Sequence, residues 1–285
     1  MKPAIALAAV ALACLAACTA NREVGEMEAN RHRPVAHLTD AAIRNHEVLF
    51  PRYVSKVKET DPELIEVFDN FAFDEVLGHG DLDVKTRLMV ILASTLGSQA
   101  LGEYKVMLGA ALTVGVTPVE AKEILYQAVP YVGIAKVLDF IHATNEILTA
   151  RGVALPLPPQ STTDRQTRRE KGLEVQRRIL GDRIDQMYAE SPKDLLHIQE
   201  FLTANCFGDH VARRGLDLKT RELLTCSMLA ALGGCEPQLA GHVAANLAVG
   251  NDRRALIATI TQLLPYIGYP RTLNAIRVVN EMTSR

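Results

Sequence analysis

Residues 233–242 read GGCEPQLAGH and place two side chains capable of chemistry, Cys235 and His242, seven positions apart. Glu236 and Pro237 predict that a helix starts here, because the residue before a proline avoids the α conformation. Cys235 then lies just ahead of the first turn, where the helix dipole can lower the pKa of a thiol. His242 lies about two turns, roughly 10 Å, further along the axis. Direct proton transfer between thiol and imidazole within this helix is therefore excluded.

His242 is an imidazole with an amide neighbour. Gln238, four positions earlier, lies next to it on the predicted helix. The amide can hydrogen-bond an imidazole, but it cannot form a disulfide with Cys235. An imidazole can exchange protons near neutral pH, although a lone histidine on an apolar helix is also often a hydrogen-bonded core residue. Both interpretations of His242 stay open at this point.

An internal repeat dominates the chain. LDVKTR at 82–87 recurs as LDLKTR at 216–221, an offset of 134 residues. PYVG at 130–133 recurs as PYIG at 265–268, an offset of 135 residues. Motifs that recur in the same order with one small slip in spacing indicate a tandem duplication.

Each copy is predicted to be helical. Asp83 and Asp217 are candidate N-caps for runs whose apolar residues recur at helical spacing. Asp61, Thr117 and Ser191 each precede a proline, a pattern typical of a helix start. Few segments alternate with a period of two, so the sequence predicts an all-α fold without a substantial sheet.

The chain divides into five segments. Three prolines at 156, 158 and 159 cannot be helical and predict an extended linker between the copies. The charged stretch 164–178 is interpreted as a solvated helix face. The predicted segments are a signal peptide (1–17), a tether (18–36), a first helical repeat (37–150), the proline-rich linker (151–163) and a second helical repeat (164–285).

The N-terminus has the pattern of an export signal. Lys2 precedes an apolar run over 4–17 that is too short to span a bilayer comfortably. The run ends in LAAC, which resembles the lipobox of bacterial lipoproteins. That resemblance implies lipidation at Cys18, and Thr19 is not the aspartate that retains such proteins in the inner membrane. We expect a periplasmic protein anchored to the outer membrane, the alternative being an ordinary secretory signal cleaved near Ala17.

The composition of the chain limits the classes of binding partner that we expect. The net charge is −2, tryptophan is absent and aromatic residues make up 5% of the chain, so no nucleic-acid surface is expected. A membrane is expected as a partner only through the lipid anchor. His197, Asp209 and His210 lack metal-ligand spacing, and we expect no metal or other cofactor. Export would place Cys206, Cys226 and Cys235 in an oxidising compartment, where one disulfide or three thiols are both compatible with the spacing.

With these motifs in view, the chain resembles the carboxymuconolactone decarboxylase family, which includes the AhpD-like alkylhydroperoxidases. The second copy carries GLDLKTRELL, ALGG, QLAGH and PYIGYPRTLNAI, and the first carries DLDVKTRLMV, ALTVGVTPVEAKEILYQ and PYVGIAKVLDF. The resemblance covers about 61–150 and 191–283. It implies two AhpD-like helical repeats that form a pseudo-dimer, and a homo-oligomer such as a trimer of pseudo-dimers.

The peroxidase branch of this family carries a Cys-x-x-Cys-x-x-x-His helix with a glutamate on the preceding helix. The resemblance implies catalytic roles for Cys235, His242 and Glu222, the last being one residue out in a gapless count. Gln238 replaces the second cysteine, so a dithiol relay within this helix is broken. A single-thiol peroxidase centred on Cys235 remains an alternative.

The decarboxylase branch of the family has a histidine at the position of His242. Loss of CO₂ from a lactone acid leaves a dienolate, which needs a proton donor and support for its oxygens. His242 suits the first role and Arg221 the second, with Gln238 as a further substrate-binding residue where the family often has glutamate.

The first copy differs at these positions, because Met107 corresponds to His242 and Glu103 corresponds to Gln238. Glu103 and His242 could therefore form one composite site, or the first copy could be a degenerate half, which we favour. The leading hypothesis is acid–base chemistry around His242 on a small organic acid or lactone. The alternatives are the thiol peroxidase and a non-catalytic helical scaffold.

Overall fold

The computed structural model describes residues 37–51 and 55–284. The leader, Cys18 and the tether over 18–36 lie outside the described residues. The described residues from Leu38 onward belong to one compact unit, and every regular element among them is a helix, as the sequence predicts. In this part of the chain no helix combines the length and apolar character needed to cross a bilayer.

The helices of the two copies follow the same order. The first copy contains α1 (Asp40–Leu49), α2 (Val57–Thr60), α3 (Pro62–Asn70), the π-helical segment π1 (Phe71–Glu75), α4 (Val84–Gly97), α5 (Leu101–Thr113), α6 (Pro118–Val132) and α7 (Ile134–Ala150). The second contains α8 (Arg168–Leu180), α9 (Arg183–Glu190), α10 (Leu196–Phe201), the π-helical segment π2 (Leu202–Val211), α11 (Leu218–Leu232), α12 (Glu236–Ala248) and α13 (Arg253–Thr283). Residues 151–167, between the copies, carry no helix.

The repeated PYxG motif makes the same bend in each copy. Gly133 has a φ of 86° and separates α6 from α7. Gly268 has a φ of 76° and breaks α13 at the corresponding point. Positive φ is tolerated by glycine because it has no Cβ, which explains why the motif ends in glycine in both copies.

Side-chain caps set the starts of α4, α6 and α11. The side chains of Asp83 and Asp217 each accept a 3.0 Å hydrogen bond from the backbone N–H three residues on. Thr117 and Glu120 form a reciprocal capping box at the start of α6. These three predicted caps are confirmed.

At two other predicted helix starts the structure differs from the prediction. Pro62 opens α3, but the side chain of Asp61 makes no capping hydrogen bond. Ser191 does not begin a helix. Instead, the N–H of Leu195 closes a turn onto the carbonyl of Pro192, and α10 begins only at Leu196.

One core runs through both copies, with α4 and α11 packed against each other at its centre. The residues of α4 from Leu88 to Gly97 are all buried, and so are those of α11 from Arg221 to Ala231. A Cβ on Gly97 would lie 2.4 Å from the carbonyl oxygen of Met228, so only glycine permits this approach. Polar residues of α11 are thereby buried at the junction of the copies.

A smaller core joins α8 to π2. A Cβ on Gly172 would lie 2.0 Å from the carbonyl oxygen of Thr203, which shows how closely the two backbones meet. Gln176 and Ile179 on α8 are buried there. The interpretation of 164–178 as a solvated face is therefore wrong for the inner side of α8, which supports the segment carrying Cys206.

Candidate functional site

An imidazole and a carboxylate meet between α11 and α12. Nδ1 of His242 lies 2.7 Å from Oε2 of Glu222. Glu222 is buried, with 2% of its side chain exposed, whereas 17% of the His242 side chain reaches solvent. An ionised carboxylate can only accept a hydrogen bond, so Nδ1 carries the proton and Nε2 remains to exchange one with a substrate.

Asn246 fixes the backbones that carry this pair. Its buried Nδ2 donates to the carbonyl of Glu222 at 3.0 Å and to the carbonyl of His242 at 2.7 Å. Asn251 in turn donates to Oδ1 of Asn246 at 2.8 Å. Because a buried amide must find partners, these bonds hold α12 in one register against α11.

The first copy contributes a tyrosine to the same site. The ring of Tyr131 lies 5.4 Å from that of His242, centroid to centroid, in an edge-on arrangement at 73°. Its hydroxyl lies near Thr225 and Cys206, which both affect its pKa. Burial, reinforced by Cys206 and Glu222, raises the pKa of Tyr131 well above its usual value. The tyrosine therefore stays protonated and positions the imidazole by contact.

The equivalent region of the first copy has lost its polar groups. At the repeat offsets of 134 and 135, apolar residues replace the polar ones: Leu88 for Glu222, Ile91 for Thr225, Ala72 for Cys206, Met107 for His242 and Ala111 for Asn246. Tyr266 is the counterpart of Tyr131, and burial raises its pKa, with a smaller contribution from nearby Glu103. The first copy is thus the degenerate half at these positions.

Glu222, rather than Glu103, is the carboxylate that contacts Nδ1 of His242. Glu103 lies near Tyr266 instead, and burial raises its pKa. The site does combine residues of both copies. The first copy contributes Tyr131, however, and not Glu103 as considered from the sequence. Gln238 is exposed on α12, so it is available to solvent rather than held against the core.

Cys235 lies apart from this pair. Its thiol donates to the carbonyl of Leu229 at 3.4 Å. It lines a small cavity whose other walls include Arg271 and Ala275, and His242 is not among the lining residues. Burial and then the charge of Glu236 raise the pKa of Cys235. The expectation that the helix start lowers this pKa is wrong, because burial and the neighbouring carboxylate both raise it.

The other two cysteines are also thiols with raised pKa values. Burial raises the pKa of Cys206 to about 12, and it raises that of Cys226 further. All three cysteines beyond the leader are free thiols. Among the described residues no cluster of three or more His, Cys, Asp or Glu side chains is arranged to hold a metal ion.

Arg221 is committed to internal partners. Only 1% of its side chain is exposed, and its guanidinium donates to Glu123 at 2.9 Å and to Gln127 at 2.8 Å. It also donates to the carbonyls of Arg213 and Arg214. These bonds join α11 to α6 of the other copy, so its structural role is to hold the pseudo-dimer together.

Sequence reasoning assigned no functional role to Asn246 or Tyr131. A usable signal was present, because each polar residue around His242 replaces an apolar one at the matched position of the first copy. Glu222 against Leu88, and Thr225 against Ile91, are such replacements. A buried position that turns polar in one copy alone is a candidate for function.

A known protein family matches each of the two copies separately. The model of the "Carboxymuconolactone decarboxylase family" matches residues 62–146 and 197–281. An uncharacterized 15.0 kDa protein from Paracoccus denitrificans, named for the nqo9–nqo10 intergenic region, is 36% identical over 77 residues. That alignment covers 27% of this chain and 58% of the relative, so the chain spans less than two thirds of its length.

One solved structure resembles the chain over most of its length. It comes from Burkholderia xenovorans and is provisionally described as a gamma-carboxymuconolactone decarboxylase subunit. The two are 21% identical, with a TM-score of 0.49, and the match covers 85% of this chain and 98% of that one.

Proposed function

The chain belongs to the carboxymuconolactone decarboxylase family, and from this premise we propose that its second copy performs acid–base chemistry on a small organic acid or lactone. The observation that carries the proposal is the 2.7 Å contact between Nδ1 of His242 and Oε2 of Glu222. A carboxylate behind an imidazole fixes its tautomer and its orientation.

Decarboxylation of a lactone acid uses these groups as follows. The bond between the ring carbon and the carboxylate breaks, CO₂ leaves, and the electron pair passes into the lactone as a dienolate. Protonated His242 gives the proton on Nε2 to carbon, and the neutral imidazole then recovers a proton from water. Glu222 keeps its hydrogen bond to Nδ1 throughout, so the ring does not turn during transfer.

The neighbours of the pair act by holding it in place. Tyr131 packs its ring against the imidazole, and Asn246 ties the backbone of His242 to that of Glu222. Partial exposure of His242 supports access by a substrate, in contrast to the burial of Glu222. Gln238, exposed one turn earlier on α12, is proposed as a substrate-binding side chain.

The direct test is consumption of γ-carboxymuconolactone, followed as CO₂ release by the purified chain. We expect His242→Asn to lower kcat/KM by roughly 10²–10⁴, the usual contribution of a positioned acid or base. Met107→Leu, a volume-conserving change at the buried matched position of the first copy, is the control and should leave the rate unchanged. Absence of turnover by the wild-type chain, or equal loss in both variants, would overturn the proposal.

The thiol peroxidase is the weaker candidate, since burial raises the pKa of all three thiols and a thiolate is the attacking species. Peroxide consumption measured in parallel separates the two functions. Peroxide turnover that disappears in Cys235→Ser and survives in His242→Asn would favour the peroxidase.

The leader supports a proposal about location. We propose that the chain is exported and lipidated at Cys18, which would hold it on the periplasmic side of the outer membrane. Growth of expressing bacteria with alkyne-labelled palmitate tests this. Label should be incorporated into the wild-type chain and be absent from Cys18→Ser, and an unlabelled wild-type chain would contradict lipidation.

A further inference from the structure

A second cavity lies away from His242, beneath the proline-rich linker. It has a volume of about 360 Å³ and is walled by residues of α6 and α7, by linker residues 155–160 and by Arg213 of the second copy. Cavities of this size suit small ligands. Its lining combines charged side chains on one wall with proline and leucine on the other.

The charges of this wall do not balance. Glu123 is the one carboxylate among the lining residues, and 1% of its side chain is exposed. It is shared between Arg213 at 3.0 Å and Arg221 at 2.9 Å. Its negative charge is therefore already matched by two guanidinium groups.

Lys122 adds a further positive charge. It is 7% exposed, and its ammonium donates to Oδ1 of Asn145. Within 37–51 and 55–284, no carboxylate lies at ion-pair distance from it, and burial lowers its pKa without an opposing charge. Burying an ammonium group costs free energy unless a counter-charge accompanies it. Lys122 has no such partner among the described residues of this wall, so a bound anion would supply the missing charge.

The remaining surface suits an apolar body. Tyr126 lies under both cations, with the guanidinium carbon of Arg213 at 4.9 Å and Nζ of Lys122 at 5.9 Å from its ring centroid. Linker residues Pro156 and Pro158 face the opposite wall of the same cavity. A flat or aliphatic group fits between an aromatic ring and proline rings better than a hydrated inorganic ion.

The repeat shows that this arrangement is not a by-product of the fold. Lys122, Glu123 and Tyr126 correspond, at an offset of 135, to Ile257, Ala258 and Thr261. Those three residues line an open groove that no linker residue borders. The polar set occurs only where the linker covers it.

We propose that the linker-covered cavity binds a small carboxylate that carries an apolar or aromatic body. Its carboxylate takes the ammonium of Lys122 as counter-charge, and its body lies between Tyr126 and the linker prolines. The site is separate from the pair of His242 and Glu222, so the proposal stands whether or not that pair is catalytic.

Calorimetric titration of the purified full-length chain with benzoate tests this directly. We expect saturable one-to-one binding of benzoate, at least tenfold weaker binding of neutral benzamide, and a similar loss for benzoate in Lys122→Gln. Ile257→Gln, the matched residue of the other copy, should bind as the wild type does.

A second variant keeps the test decisive if Lys122→Gln does not fold. Leu157→Trp fills the cavity from the linker side without touching the charged wall, and it should abolish benzoate binding. Equal binding of benzoate and benzamide, benzoate binding that Leu157→Trp leaves unchanged, or no binding to the wild-type chain would each overturn the proposal.

Discussion

Oε2 of Glu222 lies 2.7 Å from Nδ1 of His242, and the two residues come from consecutive helices of the second copy alone. At the matched positions the first copy has Leu88 and Met107, which pack in the core. Duplication has therefore left one half that maintains the fold and one half that carries the ionisable pair. The first half still contributes Tyr131 to the site of the second.

Removing the hydroxyl of Tyr131 should lower kcat and leave KM nearly unchanged, because the hydroxyl holds in place the ring that positions His242 and does not bind substrate. Tyr131→Phe loses contacts to Thr225 and Cys206, and a loss of about 1 kcal/mol corresponds to a roughly fivefold lower kcat. Steady-state kinetics on γ-carboxymuconolactone measures this. Tyr266→Phe is the matched control, and an equal loss of kcat there would show that the effect is general destabilisation.

The buried pair of Glu123 and Arg221 should hold the two copies together. Glu123→Gln leaves the guanidinium of Arg221 buried without its counter-charge, and we expect the free energy of unfolding to fall by about 3–5 kcal/mol. Urea denaturation followed by circular dichroism measures this.

The exposed pair of Asp81 and Arg254 provides the control. Their side chains are 64% and 73% exposed, so Asp81→Asn should cost less than about 1 kcal/mol. Similar losses in Glu123→Gln and Asp81→Asn would refute a special role for the buried pair.

Alkylation of Cys235 should require unusually high pH. Burial and the charge of Glu236 raise the pKa of Cys235, so its thiolate fraction is smaller at every pH below that value than for an unperturbed thiol. Iodoacetamide labelling, quantified by mass spectrometry across pH, should show a midpoint above the ordinary value of about 8.5. Glu236→Gln should move the midpoint to lower pH. A wild-type midpoint below the ordinary thiol value of about 8.5 would contradict the prediction and would favour the thiol peroxidase.

Self-association is proposed from apolar side chains that are exposed at matched positions of both copies. These residues are Leu64 with Ile198, Val67 with Phe201, Ile134 with Tyr269, and Leu138 with Leu273. Solvent-facing apolar residues that recur through a duplication suit an interface between copies of the chain.

Light scattering should give a multiple of the 31.2 kDa chain mass for the wild type and a smaller particle for the double variant Tyr269→Lys, Leu273→Lys. Val48→Lys, at an exposed apolar residue outside these four matched pairs, is the control and should leave the particle size unchanged. A monomeric wild type would contradict the proposal.

Several predictions from local sequence signals are confirmed, although those at Asp61 and Ser191 are not. The caps at Asp83 and Asp217 and the start of α12 at Glu236 depend on residues within one turn. The helical class follows from periodicity, and the matching halves follow from the repeat. The caps and the helical class can be read from a short window of sequence, and the matching halves from comparing the two copies.

The site could be predicted only in part, because its contacts cross between helices. His242 and Glu222 were both candidates for catalysis. Sequence spacing pointed to Gln238, one turn away, as the neighbour of His242, whereas its actual partner Glu222 lies twenty positions away. The partners of Arg221, Glu123 and Gln127, lie more than ninety positions away in the other copy. Tertiary burial of this kind has no signature in spacing.

A double-mutant cycle on kcat/KM for γ-carboxymuconolactone tests the central claim, that His242 and Glu222 act as one unit. The variants are His242→Asn, Glu222→Gln and the two combined. If Glu222 acts only through the imidazole, the double variant should be no slower than His242→Asn alone. Losses that add in full would show that the two residues act separately and would contradict this account.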